Sequence, residues 1–202
     1  MEKNGQQKPI ILASKSPFRA KMLENCDIKF IVQIAQICER SIEENLEDKS
    51  PSAIALALAK AKALEVSKRN KDAYVIGADQ ILAYQECILH KVSDLKQAIE
   101  RMKFLSGKTH HLHTSFTIAY NGKIIKEHVE IASLKMRQLS TKQCQDYAED
   151  RGKELYTSVG CYKIETKDIT LFEEIKGDYF SIIGLPLLPL LNQLYHLNVI
   201  KL

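Results

Sequence analysis

The chain has 202 residues, 45% apolar and 27% charged, and 29 Lys and Arg against 25 Asp and Glu give a net charge of +4. Those proportions suit one globular domain over residues 1–202 and exclude a disordered, collagen-like or coiled-coil chain. So small a charge suits an anionic small molecule as well as nucleic acid, and no basic stripe of the kind nucleic acid needs is visible. Five scattered cysteines, none in a CxxC, read as reduced thiols of a cytoplasmic protein. Polar residues up to Pro9 precede only a short apolar run, so no signal peptide is expected. The longest apolar stretch, Ile182 to Leu191, carries Pro186 and Pro189 and is too short to span a bilayer.

Pro9–Ala13 reads as a short buried strand. Ser16 then suits an N-cap and Pro17 a first helical position, for a helix to about Asn25. Ile28–Ile37 is predicted as a second strand. Ser50-Pro51 starts another helix by the same logic, and the Ala, Leu and Lys run sustains it to Arg69. Ala73–Ala78 is a buried strand, with Ile81–Tyr84 and Ile88–Leu89 as a hairpin after it. Ser93 caps a helix to Leu105. His111–Tyr120 alternates like a strand, and Asn121-Gly122 is a type I′ turn into Lys123–Arg137. Ser140 caps a helix to about Asp150. Thr170–Ile175 and Tyr179–Ile183 flank Gly177-Asp178 as a further hairpin, Pro186–His196 is a last helix, and Val199–Leu202 is a candidate closing strand. Early alternation with hairpins in the middle predicts a mixed α/β or α+β domain rather than a purely parallel, doubly wound sheet.

Several segments carry chemistry. Leu105-Ser106-Gly107-Lys108-Thr109 looks like the tail of a phosphate-binding P-loop. The first glycine of that motif is replaced by Met102, and a glycine helix cap is the better reading. His110, His111 and His113 form either a metal cluster or, as preferred, hydrogen-bonded strand histidines. Ser14-Lys15-Ser16-Pro17-Phe18-Arg19 puts two hydroxyls, a helix N-terminus and a guanidinium where they favour an oxyanion, with a plain N-cap as the alternative. Asp79 closes an apolar strand, a place for a metal-binding or proton-accepting carboxylate or for a turn aspartate. Lys60 and Lys62, two apart on a helix, do not share a face. One is free to point into a site while the other is solvated, and a wholly solvated stripe is the alternative.

Taken together, ILASKSPFRAKML, LAKAKA, VIGADQ, the lysine of LHKV, LSGKTH, VGCYKIE and LFEEIKGDYFSIIGLPL resemble the Maf (septum-formation-inhibitor-like) nucleoside triphosphate pyrophosphatases, from Ile10 to about Leu194. The resemblance implies a two-lobed α/β fold like that of the inosine triphosphatases, a mixed twisted sheet flanked by helices around a central cleft. It also implies Mg²⁺ or Mn²⁺, often a homodimer, and hydrolysis of a nucleoside triphosphate to monophosphate and pyrophosphate. The absent basic stripe and the short apolar stretches add the expectation of no nucleic-acid and no membrane partner. Asp79 matches the catalytic aspartate, and Ser14, Ser16 and Arg19 match the phosphate-handling motif. Glu39, Lys60 and Lys91 match an acidic residue and two lysines of the pocket, and Asp79 and Glu39 are the implied metal ligands. Phe18, Gln80 and Glu165 stand where the commoner form has arginine, threonine and glutamine. That trio resembles the 7-methyl-GTP branch, although tryptophan is more usual there at position 18. N7-methylation makes guanine cationic, which an aromatic face attracts, and a carboxylate accepts from its N1–H and N2–H edge. Cys38, Thr157, Ser158 and Val92 also depart from the commoner form and weaken a transfer of UTP/dTTP specificity. The alternatives are a pyrophosphatase for UTP, dTTP or other nucleotides, and a non-catalytic nucleotide-binding regulator of septum formation.

Overall fold

The computed structural model describes residues 8–201. Strand β1 is Ile10–Leu12, helix α1 Pro17–Glu24, β2 Ile31–Val32, α2 Glu39–Asn45 and α3 Pro51–Arg69. Then come β3 Tyr74–Tyr84, β4 Cys87–Leu89, α4 Leu95–Leu105, β5 Thr109–Tyr120 and β6 Lys123–Met136. The chain continues through α5 Thr141–Arg151, β7 Phe172–Lys176, α6 Tyr179–Ile182 and α7 Leu187–His196. The strands lie in the order β2-β1-β3-β5-β6-β7, with β4 also on β3. Strand β1 pairs in parallel with β2 and β3, and all other pairs are antiparallel, so the sheet is mixed as predicted. No helix among the described residues is long and apolar enough to cross a membrane.

The long strands β3, β5 and β6 run through two packed regions. At one end Ile76, Ala78, Phe116 and Ile118 pack beneath α1 and α7, and α3 covers the other sheet face over Val75 and Ile81. At the other end Leu82, Leu112 and Leu134 pack with α4 and α5. Val92 is buried in that second core.

Caps follow the sequence at several starts. Ser50 Oγ accepts from Ala53 N at 3.3 Å, and Ser140 and Gln143 form a reciprocal capping box. Asn121 and Gly122 both have positive φ, at 50° and 73°, as a type I′ turn requires.

Five elements differ from the sequence reading. The strand expected to stop at Ala78 runs on to Tyr84, because β5 pairs with it continuously from Tyr74 to Ala83. The strand expected over 28–37 is only Ile31–Val32. After it the chain forms α2, a helix with no side-chain cap and therefore no N-terminal signal to read. Asp94, one residue after Ser93, caps α4 by accepting from Gln97 N at 2.8 Å. The segment after Gly177-Asp178 is not a strand: Asp178 accepts from Ser181 N at 2.6 Å and starts the single turn α6. Residues 199–201 form no strand, and Leu202 lies outside the described residues.

Candidate active site

Strand β3 has a gap along one edge. Strand β1 pairs with it only from Tyr74 to Ile76, and β4 only from Leu82 to Tyr84. Between them a cleft of 970 Å³ opens onto Asp79, Gln80 and Ile81, a size usual for small-molecule sites. Side chains from both faces of the sheet reach this gap. By the two-residue period of a strand, Asp79 shares the α3 face with Gly77, and Gln80 takes the opposite face.

Gly77 sets the depth of the α3 side. A Cβ there would lie 2.2 Å from Ala59 O and 2.6 Å from Ala63 N, so only glycine lets the helix backbone come this close. The same helical turn carries Lys62 onto Asp79. Lys62 Nζ is 2.5 Å from Asp79 Oδ1 and 2.8 Å from Glu39 Oε1 at the start of α2. Asp79 is only 8% exposed. Burial pushes its carboxyl above the ordinary aspartate range, against the pull of Lys62 and Arg19, with Glu39 adding to the rise. Burial would raise Glu39 as well. There the hydrogen bond and charge of Lys62, with Lys15 and Arg19, prevail and hold it low.

The resemblance pointed to Lys60, and the structure corrects this. Lys60 lies outside the cleft and pairs with Glu127 Oε2 on β6 at 2.9 Å. On a helix of 3.6 residues per turn, residues two apart point about 200° away from one another, so only one of the two lysines can face Asp79.

Ser14, Ser16, Phe18, Arg19, Lys91 and Glu165 all line the cleft. Ser14 Oγ accepts from Ser16 N at 3.2 Å and from Arg19 Nη1 at 3.1 Å. Ser16 is the N-cap residue of α1, but its hydroxyl makes no capping bond, which departs from the plain N-cap alternative. Arg19 is buried, and its guanidinium ties three segments together. Nη1 also donates to Ala78 O at 2.8 Å, and Nε donates to Gly184 O at 2.8 Å. Burial lowers its pKa, with Asp79 and Glu39 opposing. Lys91 is lowered by burial and then by its cationic neighbours Arg19 and Lys15. Lys15 and Lys163 line the cleft too, and the sequence reading did not select them. Phe18 already faces a cation, since Lys163 Nζ lies 5.7 Å from its ring centroid. The turn carrying Glu165 is held from beneath by buried Asp168, which accepts from Lys163 N at 2.9 Å and from Arg151 Nε at 2.8 Å. The Gln80 amide is turned toward α6, where Nε2 meets Ile182 O at 2.9 Å.

Two carboxylates converging on one ammonium make a place where positive charge is favoured. Mg²⁺ and Mn²⁺ use one or two carboxylates, completing their shell with waters and substrate phosphate oxygens, so Asp79 and Glu39 fit such an ion. The histidines do not make a second site. No group of three or more His, Cys, Asp or Glu among the described residues is placed to hold a metal. His110 Nε2 pairs with Tyr162 OH at 2.7 Å, and His113 Nδ1 with Ser52 Oγ at 2.8 Å. Gly107 has φ +68° just after α4, the helix-ending turn read from the sequence.

The Maf-like protein family model matches residues 9–197. The 7-methyl-GTP pyrophosphatase of Rhizobium johnstonii is 43% identical over 193 residues, covering 95% of this chain and 97% of its own. That of Brucella abortus is 44% identical over 187 residues, covering 92% and 94%. Among solved structures, a HAM1 protein from Coxiella burnetii is similar over 64% of this chain and 73% of its own, with 15% identity and a TM-score of 0.43. On the family match and these identities, this chain belongs to the Maf-like protein family.

Proposed function

We propose that this chain is a nucleoside triphosphate pyrophosphatase with a preference for 7-methyl-GTP. The observation that carries this reading is Asp79, buried at the sheet gap and bridged through Lys62 to Glu39, in a cleft that Lys15, Arg19, Lys91 and Lys163 make attractive to polyphosphate. The name shared by relatives at 43% and 44% identity supports it.

Asp79 accepts a proton from the attacking water. The water oxygen bonds to phosphorus at the α–β anhydride, that bond breaks, and monophosphate and pyrophosphate leave. A carboxyl raised by burial is a better base than an exposed aspartate, provided Lys62 keeps it ionised. A bound Mg²⁺ or Mn²⁺, held by Asp79 and Glu39, would neutralise phosphate charge. Lys91 and Arg19 stabilise charge that develops on the leaving oxygens. The Ser16 hydroxyl, which makes no capping bond, and the α1 N-terminus take phosphate oxygens. The Phe18 ring attracts the cationic base, and Glu165 accepts from its N–H edge. Five free thiols fit a cytoplasmic setting.

The test is turnover of 7-methyl-GTP, GTP, UTP, dTTP and CTP with Mg²⁺ or Mn²⁺, detecting monophosphate and pyrophosphate separately. Selective cleavage of 7-methyl-GTP, lost in a folded Asp79→Asn variant, is the expected result. Preference for UTP or dTTP would keep the enzyme and overturn the base pocket. No turnover of any nucleotide would favour the non-catalytic regulator.

A further inference from the structure

Gln80 sits beside Asp79, yet its amide nitrogen is turned toward α6. Nε2 lies 2.9 Å from Thr114 Oγ1, 3.0 Å from Ser181 O and 2.9 Å from Ile182 O. Two of these partners are carbonyl oxygens, which only accept, so the NH₂ end and not Oε1 must face them. Proton bookkeeping gives the same answer at Thr114. Its one hydroxyl proton goes to Ser181 O at 2.9 Å, so toward Gln80 that hydroxyl is an acceptor, and the two amide protons are shared among three acceptors, Thr114 Oγ1, Ser181 O and Ile182 O. Thr114 is 1% exposed, and water does not compete for these bonds. Oε1 has no hydrogen-bond partner among the described residues, and it is the Gln80 atom left for a ligand in the cleft.

The same group of bonds fixes a stretch of backbone. Ile182, Ile183 and Gly184 line the cleft, and Gly184 O holds Arg19 Nε. From the far side the Ser181 hydroxyl meets the Glu130 carboxylate on β6. Thr114 thus stands where the base-facing glutamine joins the turn that anchors Arg19.

We propose that Thr114, which does not line the cleft, is a positioning residue for substrate selection. Its hydroxyl holds the Gln80 amide so that only a carbonyl oxygen faces the base. With the carboxylate oxygens of Glu165, that makes the base-reading groups acceptors only. A base edge rich in N–H donors is matched, and an edge that turns acceptors toward them finds no partner. The assignment rests on the function proposed above.

The test combines steady-state kinetics on 7-methyl-GTP with hydrogen exchange over residues 179–185, in the wild type, Thr114→Val and Thr114→Ser. Losing the hydroxyl is expected to raise KM about 2–10-fold and to change kcat much less, since Asp79 and Lys62 are untouched and Arg19 keeps its bonds to Ser14 Oγ and Ala78 O when the turn loosens. Exchange over the α6 turn is expected to quicken, and serine to restore both. A merely structural role would lower the melting temperature without moving KM. Folded Thr114→Val with wild-type KM, or with unchanged exchange, overturns the proposal. If valine prevents folding, Thr114→Cys, a weaker hydrogen-bonding group of similar size, is expected to give intermediate values, and wild-type values there overturn it equally. Wild-type protein inactive on every nucleotide would refute the pyrophosphatase reading, and exchange would still decide whether Thr114 holds the turn.

Discussion

Replacing Lys62 with methionine is expected to remove most of the turnover, and the same change at Lys60 almost none. Lys62 and Asp79 are 12% and 11% exposed at the side chain and 2.5 Å apart, with Glu39 2.8 Å from the same ammonium. A unit pair about 4 Å apart is worth about 4 kcal/mol at an effective dielectric of about 20, and breaking a buried pair costs about 3–5 kcal/mol. Asp79 escapes part of that cost by binding a proton, but a protonated aspartate cannot serve as the base. Loss of one preorganised charged group of this kind lowers kcat by about 10²–10³. The Lys60–Glu127 pair is 34% and 44% exposed, so solvent screening leaves it about 0–1 kcal/mol. Methionine keeps the apolar stem in both variants, which isolates the charge. The assays are 7-methyl-GTP turnover and thermal melts at pH 5 and pH 8. Without Lys62 the folded-state pKa of Asp79, already raised, rises further. The folded protein then holds a proton that the unfolded chain has lost, and stability falls as pH rises through the window above the ordinary aspartate range. The Lys62→Met deficit must therefore be smaller at pH 5 than at pH 8. Equal deficits at the two pH values, or greater loss of turnover in Lys60→Met, would refute the pairing.

Gly77→Ala must push α3 away from β3, because both nearest atoms to the new Cβ are backbone. A loss of about 1–3 kcal/mol or more in urea unfolding is expected, with reduced turnover as Lys62 withdraws from Asp79, and wild-type values would contradict the close approach. His110 is fully buried with its pKa pushed down to about 4, burial being the main cause. The folded state resists the proton that the unfolded chain accepts, so this group's contribution is complete above pH 6.5 and is lost as pH falls toward 4, by roughly 3 kcal/mol. Urea midpoints at pH 7 and pH 4.5, compared with a His110→Phe/Tyr162→Phe double variant that removes both polar partners, check this. An unchanged pH slope in the double variant would count against it.

The mixed sheet, the helices after Ser50-Pro51 and Ser140, and the Asn121-Gly122 turn were legible because each has a local cause: a cap, a proline, a period or a left-handed pair. Helix α2 and the single turn α6 were not, since the first has no side-chain cap and the second is fixed by Asp178 and the grip of Gln80 and Thr114 from distant strands. The site divides the same way. The SKSPFR loop and Asp79 could be located from strand-end and helix-start chemistry. Which lysine faces Asp79 depends on the rotation of α3 about its axis, and Gly77 sets that contact only once strand and helix are packed. Lys163 and Lys15 carried no signal beyond being lysines, and only the fold of the chain around the cleft selects them.

Asp79 and Gln80 are sequence neighbours on opposite faces of one strand, and both reach the cleft because β3 is unpaired on one edge between Ile76 and Leu82. One face receives α3, whose Lys62 pairs with the carboxylate and opposes the upward push of burial. The other receives α6, whose carbonyls set the orientation of the glutamine. In the proposed function, chemistry and base reading thus rest on different packing contacts that meet in one cavity. Substitutions on the α3 side should appear mainly in kcat, and those on the α6 side mainly in KM. Arg19 is the exception, because it donates both to Ala78 O beside Asp79 and to Gly184 O after α6. It couples the two supports, so its loss should move both constants at once, which no single change at Lys62 or Thr114 should do.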